Sequence, residues 1–235
     1  MSNTVHSGIE AVVFDAVGTL IYPRPSVAEA YCRALRLFCG VEVDHDDVAR
    51  AVRSALQART SADLSTNEAA EREFWAGLIR ELAGNAVGFD ACFDHLFAHF
   101  ANPANWRCFP DTTEAISCLH SAGLRIAIAS NFDLRLNDVC NGLPGLAEIE
   151  HRVISSVVGW RKPAPEFFDA VCSQLNLPAS QILFVGDDVV NDVQGALKAG
   201  MQSAWITRND SDPVTPQGAT AIRLLTELPG LQIGQ

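Results

Sequence analysis

The chain is poor in lysine, and it lacks long apolar runs and paired cysteine motifs. Only two of its 17 basic residues are lysines, Lys162 and Lys198. No apolar run approaches the roughly 18 residues of a membrane span, and residues 1–10 lack the basic-then-apolar pattern of a secretory signal. The seven cysteines form no C-x-x-C pair, which argues against a disulfide framework or a zinc site. We therefore expect a cytoplasmic protein with buried, reduced thiols and no membrane partner.

The balance of charge and hydrophobicity excludes two further classes of protein. A net charge of −11 argues against sequence-independent binding to nucleic acid. With 48% hydrophobic and 19% charged residues, the chain is too apolar for a disordered protein. Its 235 residues are enough to bury a core, as one large domain or two unequal ones.

Short apolar runs alternate with helical patterns along much of the chain. Residues 9–14 form a β-branched apolar run that predicts a buried strand ending at Asp15. Further strands are predicted at 125–129, 152–157, 181–185 and 203–207, with helical segments between them. This alternation predicts an α/β fold with a doubly wound parallel sheet that is covered on both faces.

A long helical segment interrupts the alternation after the first strand. Apolar residues recur there at three- and four-residue spacings, which predicts helices at 27–38, 46–59, 68–82 and 89–100. We therefore predict an α/β core domain made of residues 1–22 and 107–235, and a helical domain of residues 23–106 inserted into it.

Polar side chains follow several predicted strands, at the edge where open parallel sheets bind ligands. Asp15 follows the first strand, and the pair Ser130-Asn131 follows the second. Lys162 comes after the third strand, and an acidic cluster follows the fourth: Asp187, Asp188 and, one helical turn on, Asp192. A carboxylate nucleophile, a hydroxyl, a lysine and a cation-binding acidic cluster together suit phosphoryl transfer.

Four sequence strings closely resemble the motifs of the haloacid dehalogenase-like hydrolases, in the same order and at similar spacing. They are F-D-A-V-G-T-L (14–20), S-N (130–131), K-P-x-P-x-x-F (162–168) and G-D-D-x-x-N-D (186–192). The helical insertion after the first string is similar to the cap domain of one branch of that family. The resemblance spans essentially the whole chain, although the cap matches only in type.

The resemblance implies a role for each matching residue. Asp15 is the expected nucleophile, which forms an aspartyl intermediate, and Lys162 is expected to balance charge on the nucleophile and on the phosphoryl group. The phosphoryl group is expected to be held by Thr19, Ser130 and Asn131. Mg²⁺ is the expected cofactor, with these ligands: Asp15, the backbone carbonyl of Val17, Asp187 and Asp192, with Asp188 as a further candidate.

Val17 departs from the pattern of the family's phosphatases. Most of them carry a second aspartate at this position, which protonates the leaving group and then activates water. Valine has no proton to exchange, and lost general acid–base catalysis typically lowers the rate by about 10²–10⁴-fold. Metal binding through the backbone carbonyl can survive this replacement.

Val17 leaves several functions open. The first is a Mg²⁺-dependent phosphatase that acts on a small phosphorylated metabolite. The second is a metal-binding protein of the same fold with weak or no hydrolase activity, and the third is a metal-independent 2-haloacid dehalogenase. The surplus of carboxylates argues against the dehalogenase. A Schiff-base phosphonate-cleaving route is disfavoured because residues 23–106 contain no lysine.

Overall fold

A six-stranded parallel sheet forms the centre of the molecule. The computed structural model describes residues 8–60, 63–208 and 214–231. The strands of the sheet lie in the order β5-β4-β1-β6-β7-β8, and β2 and β3 form a separate antiparallel ribbon. In chain order the strands are β1 (Ala11–Phe14), β2 (Ile21–Pro23), β3 (Trp106–Cys108), β4 (Arg125–Ser130), β5 (His151–Ile154), β6 (Ile182–Gly186), β7 (Gln202–Ile206) and β8 (Ala219–Ile222). The predicted α/β class with a parallel sheet is confirmed.

Helices cover both faces of the sheet and fill the segment between β2 and β3. The α-helices are α1 (Val27–Ala34), α2 (His45–Ala58), α3 (Glu68–Ala83), α4 (Phe89–Ala101), α5 (Thr112–Ser121), α6 (Arg135–Asn141), α7 (Ser155–Val158), α8 (Pro165–Leu175) and α9 (Gly195–Lys198). π-Helical segments follow α1 at Leu35–Cys39 and precede α9 at Val189–Gln194.

Strand β1 lies in the middle of the core because both of its faces are apolar. Successive side chains of a strand point to opposite faces. Accordingly, Val12 and Phe14 belong to the apolar cluster on one side of the sheet, and Ala11 and Val13 belong to the cluster on the other. The first cluster includes residues of α5 and α6, and the second includes residues of α8 and α9. Full burial of β1 thus holds the residue that follows it at the centre of the sheet edge.

Helices α1 to α4 pack around an apolar cluster of their own. Side chains cap three of them: Ser26 forms a capping box with Glu29 before α1, Asp44 caps α2, and Asn67 caps α3. These caps satisfy free backbone N–H groups at the start of each helix, and the apolar stripe of each helix then meets the shared core. All four predicted helices of the insertion are present, although the first continues as a π-helix after Ala34.

The predicted elements need correction at three points, and the expected burial of the cysteines needs correction at one. The predicted strand at 152–157 ends at Ile154, because the next residues form the short helix α7. The ribbon of β2 and β3, which joins the helical insertion to the sheet, was not predicted, and neither was β8. All seven cysteines are free, as expected, but Cys118 is exposed and only Cys92 and Cys140 are fully buried.

The prediction of no membrane span agrees with the described part of the chain, in which no helix is both long and apolar enough to cross a bilayer. The first seven residues, which entered the expectation about a secretory signal, lie outside the described residues.

Candidate active site

The chemistry-bearing side chains meet at the carboxyl edge of the sheet. Strand β1 has β4 on one side and β6 on the other, so the residues after these three strands become neighbours. The Asp15 backbone N–H donates to the carbonyl of Val185 at 2.8 Å, which extends the β1–β6 pairing to Asp15 itself. Ser130, the last residue of β4, donates its hydroxyl to Asp15 Oδ1 at 3.2 Å.

Lys162 is a buried cation that joins two carboxylates. Its Nζ lies 2.7 Å from Asp15 Oδ1 and 2.6 Å from Asp192 Oδ1, and it also donates to the carbonyl of Ala129 at 3.0 Å. Lys162 is only 1% exposed. Burial alone lowers the pKa of Lys162, but the charges of Asp15 and Asp192 outweigh burial and hold this pKa above its ordinary value. Lys162 is therefore fully charged at neutral pH.

The three aspartates form a cluster with more negative charge than Lys162 can neutralise. One carboxylate oxygen from each of Asp15, Asp187 and Asp192 lies within 4.8 Å of the others. Enclosure in the site and then the charges of Asp15 and Asp192 raise the pKa of Asp187 to about 8. Burial likewise raises the pKa of Asp192, in spite of the opposing effect of Lys162. Such mutual repulsion favours a proton or a cation in the cluster.

The donor set suits a hard divalent cation. Asp15 and Asp187 offer carboxylate oxygens, and Mg²⁺ prefers oxygen ligands. Asp192 is less free, because its Oδ1 accepts from Lys162 and its Oδ2 accepts from the Asp188 N–H at 3.1 Å. Asp187 reaches the cluster across Gly18, where a Cβ atom would overlap its carboxylate. The residues present therefore fit a metal ion, with Asp192 also placed to orient Lys162.

Two residues expected to hold the phosphoryl group make other contacts. The Asn131 amide donates to the Lys162 carbonyl at 3.0 Å and accepts from the Lys162 N–H at 2.8 Å, so both of its polar atoms fix the lysine loop. The Thr19 hydroxyl lies 3.4 Å from Asp187 Oδ1 and is buried away from the cavity. These contacts place the Asn131 side chain against the lysine loop and the Thr19 hydroxyl against Asp187.

Asp188 caps a helix and lies outside the carboxylate cluster. Its carboxylate accepts from the backbone N–H groups of Val190 and Asn191, both at 2.8 Å, and from the Asn191 side chain at 2.9 Å. This is the usual arrangement for an aspartate at a helix N-terminus. Among the described residues, the carboxylate cluster consists of Asp15, Asp187 and Asp192 without it.

A cavity of about 380 Å³ opens above the cluster, between the sheet edge and the helical insertion. The sheet side contributes the residues already described. The side formed by the insertion contributes Arg53, Arg59, Glu71 and Trp75, none of which was predicted from the sequence. Glu71 forms a bidentate ion pair with Arg59, with nitrogen–oxygen distances of 2.6 and 2.8 Å, and accepts a hydrogen bond from the Thr66 hydroxyl at 2.6 Å.

Val17 lies between this cavity and a second, apolar chamber of about 210 Å³. The Val17 side chain is 37% exposed and lines both spaces. Aromatic rings dominate the wall of the chamber: Tyr31, Trp75, Phe97, Phe100, Trp106 and Phe132. The chamber was not predicted from the sequence, because it forms only where the insertion packs against residues that follow β4.

Comparisons with known proteins identify the family of the chain. The profile of the family described as "haloacid dehalogenase-like hydrolase" matches residues 9–200, and the chain therefore belongs to that family of hydrolases. It is 28% identical to "Haloacid dehalogenase-like hydrolase domain-containing protein 3" of Danio rerio, over 85% of each chain. It is 27% identical to "Glyceraldehyde 3-phosphate phosphatase" of Methanopyrus kandleri, over 89% of this chain and 88% of that one.

A solved structure supports the fold in the same way. The chain superimposes on a HAD phosphatase from Thermococcus onnurineus with a TM-score of 0.70 and 21% identity, over 97% of this chain and 99% of the other. At this identity the likeness supports the fold alone.

Proposed function

We propose that the protein is a Mg²⁺-dependent phosphatase that transfers the phosphoryl group of a small phosphorylated metabolite to Asp15. One observation carries the proposal: the Asp15 carboxylate is fixed by Lys162 and Ser130 and lies within the carboxylate cluster. A carboxylate held in this way has one oxygen oriented by donors and the other free to attack phosphorus.

The first step forms one bond and breaks another. The free oxygen of Asp15 attacks phosphorus, the phosphorus–oxygen bond to the leaving group breaks, and the leaving group departs with the electron pair. Lys162 offsets the negative charge of Asp15 as the phosphoryl group approaches. Water then hydrolyses the aspartyl phosphate and restores the carboxylate.

The site residues would hold the cofactor opposite Lys162. Asp15, Asp187 and the backbone carbonyl of Val17 are the proposed ligands, with Asp192 beside them. When bound, Mg²⁺ supplies positive charge that offsets the charge of the phosphoryl oxygens. Thr19 and Asn131 act on this arrangement by orienting Asp187 and Lys162.

Val17 restricts the kind of leaving group that the substrate can carry. Without a carboxylic acid at this position, a leaving group that is stable as an anion departs most easily, which favours aryl and acyl phosphates over alkyl phosphates. The aromatic chamber beside Val17 supports the same preference, because it can bury the apolar body of such a group.

We propose that residues 23–106 form a cap domain and that residues 1–22 and 107–235 form the core. The separate apolar cluster of α1 to α4 and the ribbon joined at Pro23 and Trp106 support this division. The cap supplies part of the cavity wall, so its residues set the choice of substrate. A cytoplasmic location is the proposal that the free cysteines support.

Binding of beryllium fluoride or aluminium fluoride with Mg²⁺ tests the proposal. Either fluoride mimics a phosphoryl group on a carboxylate, and we expect the wild-type protein to bind it only when Mg²⁺ is present, as detected by calorimetry or ¹⁹F NMR. Asp15→Asn should abolish binding because the amide is a poor nucleophile.

Asp188→Asn is the matched control, because asparagine is an equally good helix cap and the residue lines the same cavity. This variant should bind the fluoride as the wild type does. Fluoride binding by Asp15→Asn would place the reactive group elsewhere.

Two other functions give different outcomes in a screen of phosphorylated metabolites and 2-haloacids, with Mg²⁺ or with EDTA. The absence of an acid at Val17 favours, as second candidate, a metal-binding protein with little turnover, which would bind fluoride but hydrolyse no member of the screen. A 2-haloacid dehalogenase would act on haloacids in EDTA, and the cluster of three carboxylates argues against it.

A further inference from the structure

Arg161 is a buried cation in the wall of the active-site cavity. It directly precedes Lys162, lines the cavity, and is only 4% exposed. Its backbone N–H donates to the carbonyl of Leu64 at 2.9 Å, next to the bridge between Ser65 and Trp160. Residues 64–66 of the insertion therefore pair with the backbone that leads into Lys162.

The other buried or half-buried cations of the cavity are paired. Lys162 is held by Asp15 and Asp192. Arg59 pairs with Glu71, and Arg135 pairs with Asp133 through two nitrogen–oxygen contacts. Within the described part of the chain, no hydrogen bond or ion pair is made by the guanidinium of Arg161.

Glu71 is the carboxylate that interacts electrostatically with Arg161, but both of its oxygens already accept hydrogen bonds from other side chains. The charge of Arg161 contributes to lowering the pKa of Glu71. However, Oε1 of Glu71 accepts from Arg59 and Thr66, and Oε2 accepts from Arg59. Burial and the nearby charge of Arg59 lower the pKa of Arg161 to about 10, so it remains charged at neutral pH. A guanidinium has five N–H donors, and those of Arg161 have no acceptor in the described part of the protein and stay accessible from the cavity.

We propose that Arg161 binds a second anionic group of the substrate, a carboxylate or a phosphate carried on the leaving group. This inference rests on the proposed function for the position of the first phosphoryl group. Lys162 and the metal-binding cluster hold the reacting end, and Arg161 holds the other end in the same cavity. The planar guanidinium suits bidentate contact with either kind of anion. Arg53, an exposed residue of α2 that also lines the cavity, adds positive charge at the same side.

Matched phosphonates, which cannot be hydrolysed, test binding without turnover. The probes are 4-carboxybenzylphosphonate, its methyl ester and p-xylylene bisphosphonate, each titrated with Mg²⁺ by calorimetry. We expect the wild-type protein to bind at least one anionic probe about 10- to 100-fold more tightly than the neutral ester, the range for hydrogen bonds to charged groups. Tighter binding of the carboxylate or of the bisphosphonate identifies which anion the subsite takes.

Arg161→Met should remove most of this preference, and Arg161→Lys, which keeps the charge but loses the planar fork, should keep part of it. Arg50→Met is the control, because Arg50 is an exposed residue of α2 that pairs with Asp47 and does not line the cavity. Arg50→Met should show the wild-type preference. An equal affinity for the ester and both anions in the wild type, or an unchanged preference in Arg161→Met, would overturn the proposal.

The melting temperature without ligand separates a binding role from a structural one. Replacing an unpaired buried cation by an apolar side chain of similar size should leave this temperature unchanged or raise it. If Arg161 instead serves to hold Glu71, Arg161→Met will melt lower than the wild type, and the proposal fails. If the protein hydrolyses aryl phosphates but shows no preference for a second anion, only the inference about Arg161 is refuted. A preference among the phosphonates without any turnover would refute only the proposed phosphatase.

Discussion

On the proposed function, we expect Val17 to restrict which phosphate esters this site can cleave. Its side chain borders both the reactive carboxylates and the aromatic chamber, which is where a leaving group must pass. Among the described residues, the carboxylates that line the cavity are held by hydrogen bonds or belong to the cluster. The proton required by an alkoxide leaving group therefore has no evident donor at this position.

We predict that Val17→Asp raises kcat/KM for alkyl phosphates by about 10²-fold, the lower end of general acid–base catalysis. Aspartate is close to valine in size, so the new carboxylate should enter the same space. Aryl phosphates should gain much less, because their leaving groups are already stable as anions. The measurement is kcat/KM for one alkyl and one aryl phosphate in wild type and variant.

Val17→Asn is the control, because its amide has similar size and polarity but no proton to exchange near neutral pH. It should leave the ratio between alkyl and aryl substrates as in the wild type. Equal gains for both substrates in Val17→Asp would mean that the carboxylate acts through charge alone, and ordinary alkyl turnover by the wild type would point to a donor in the cap.

Residue identities were easier to predict than the atoms they contact. Motif spacing located Asn131, Thr19 and Asp188 at the site, but it did not reveal that each side chain is bound to a neighbouring part of the protein. A motif records positions along the chain, whereas hydrogen-bond partners depend on loop geometry. Arg161 is the clearest case: its burial depends on the cap loop at Leu64, which no local pattern predicts.

Elements were predicted best where apolar periodicity was strong and where the element was long. The four helices of the insertion have marked apolar stripes and were all anticipated. The ribbon of β2 and β3 has only three residues in each strand, too few for a period to be recognised, and it contains Pro23. Helix α7 was not predicted for a related reason. Its sequence S-S-V-V is β-branched in part, and four residues are too few for a helical pattern to be recognised.

The loop after β1 has a backbone conformation that brings Asp187 to Asp15. Gly18 has a φ of +94°, and a Cβ atom there would overlap the Asp187 carboxylate. The Gly18 N–H also donates to the Ile21 carbonyl at 2.9 Å, which closes the turn. Only glycine satisfies both requirements, because other residues disfavour this region of φ and would displace the carboxylate.

We predict that Gly18→Ala lowers the free energy of unfolding by roughly 1–2 kcal/mol through its positive φ and also weakens Mg²⁺ binding at least several-fold. Gly123→Ala is the control: its φ is +82° but nothing lies within 4 Å of the added Cβ. The control should lose similar stability and keep the wild-type Mg²⁺ affinity. Denaturant unfolding and a Mg²⁺ titration measure the two effects, and equal Mg²⁺ affinities in both variants would contradict this account.

At the scale of the whole molecule, hydrogen bonds join the helical insertion to the rest of the chain. Glu68, at the start of α3, accepts from the Ser156 hydroxyl and from the Leu134 N–H, which lies 3.0 Å away. The Thr66 N–H donates to the Gly159 carbonyl at 2.9 Å. The helical insertion forms the opposite wall of the cavity above the carboxylate cluster. We expect the stability of the protein to depend on whether this cluster is protonated, charged or bound to a cation.

Without metal, this arrangement should be most stable in mild acid. The pKa of Asp187 is raised in the folded state to about 8, so the folded protein binds this proton more tightly than the unfolded chain does. The resulting stability is present at low pH and is lost as the pH rises towards 8. We predict that the melting temperature in EDTA falls between about pH 5 and pH 8, and that the increase caused by Mg²⁺ grows over the same range because protons leave the cluster.

Asp187→Asn isolates this effect from other titrating groups. His99 acts in the opposite direction, because burial lowers its pKa in the folded state, so stability rises as the pH passes through the ordinary histidine range. The difference in melting temperature between wild type and Asp187→Asn, measured across the pH range, cancels His99 and leaves the contribution of Asp187. In EDTA, the melting temperature of the wild type should fall relative to that of Asp187→Asn as the pH rises. With Mg²⁺, it should rise relative to that of the variant. A difference that does not change with pH in EDTA would show that Asp187 is charged throughout, and that Lys162 alone is enough to neutralise the cluster.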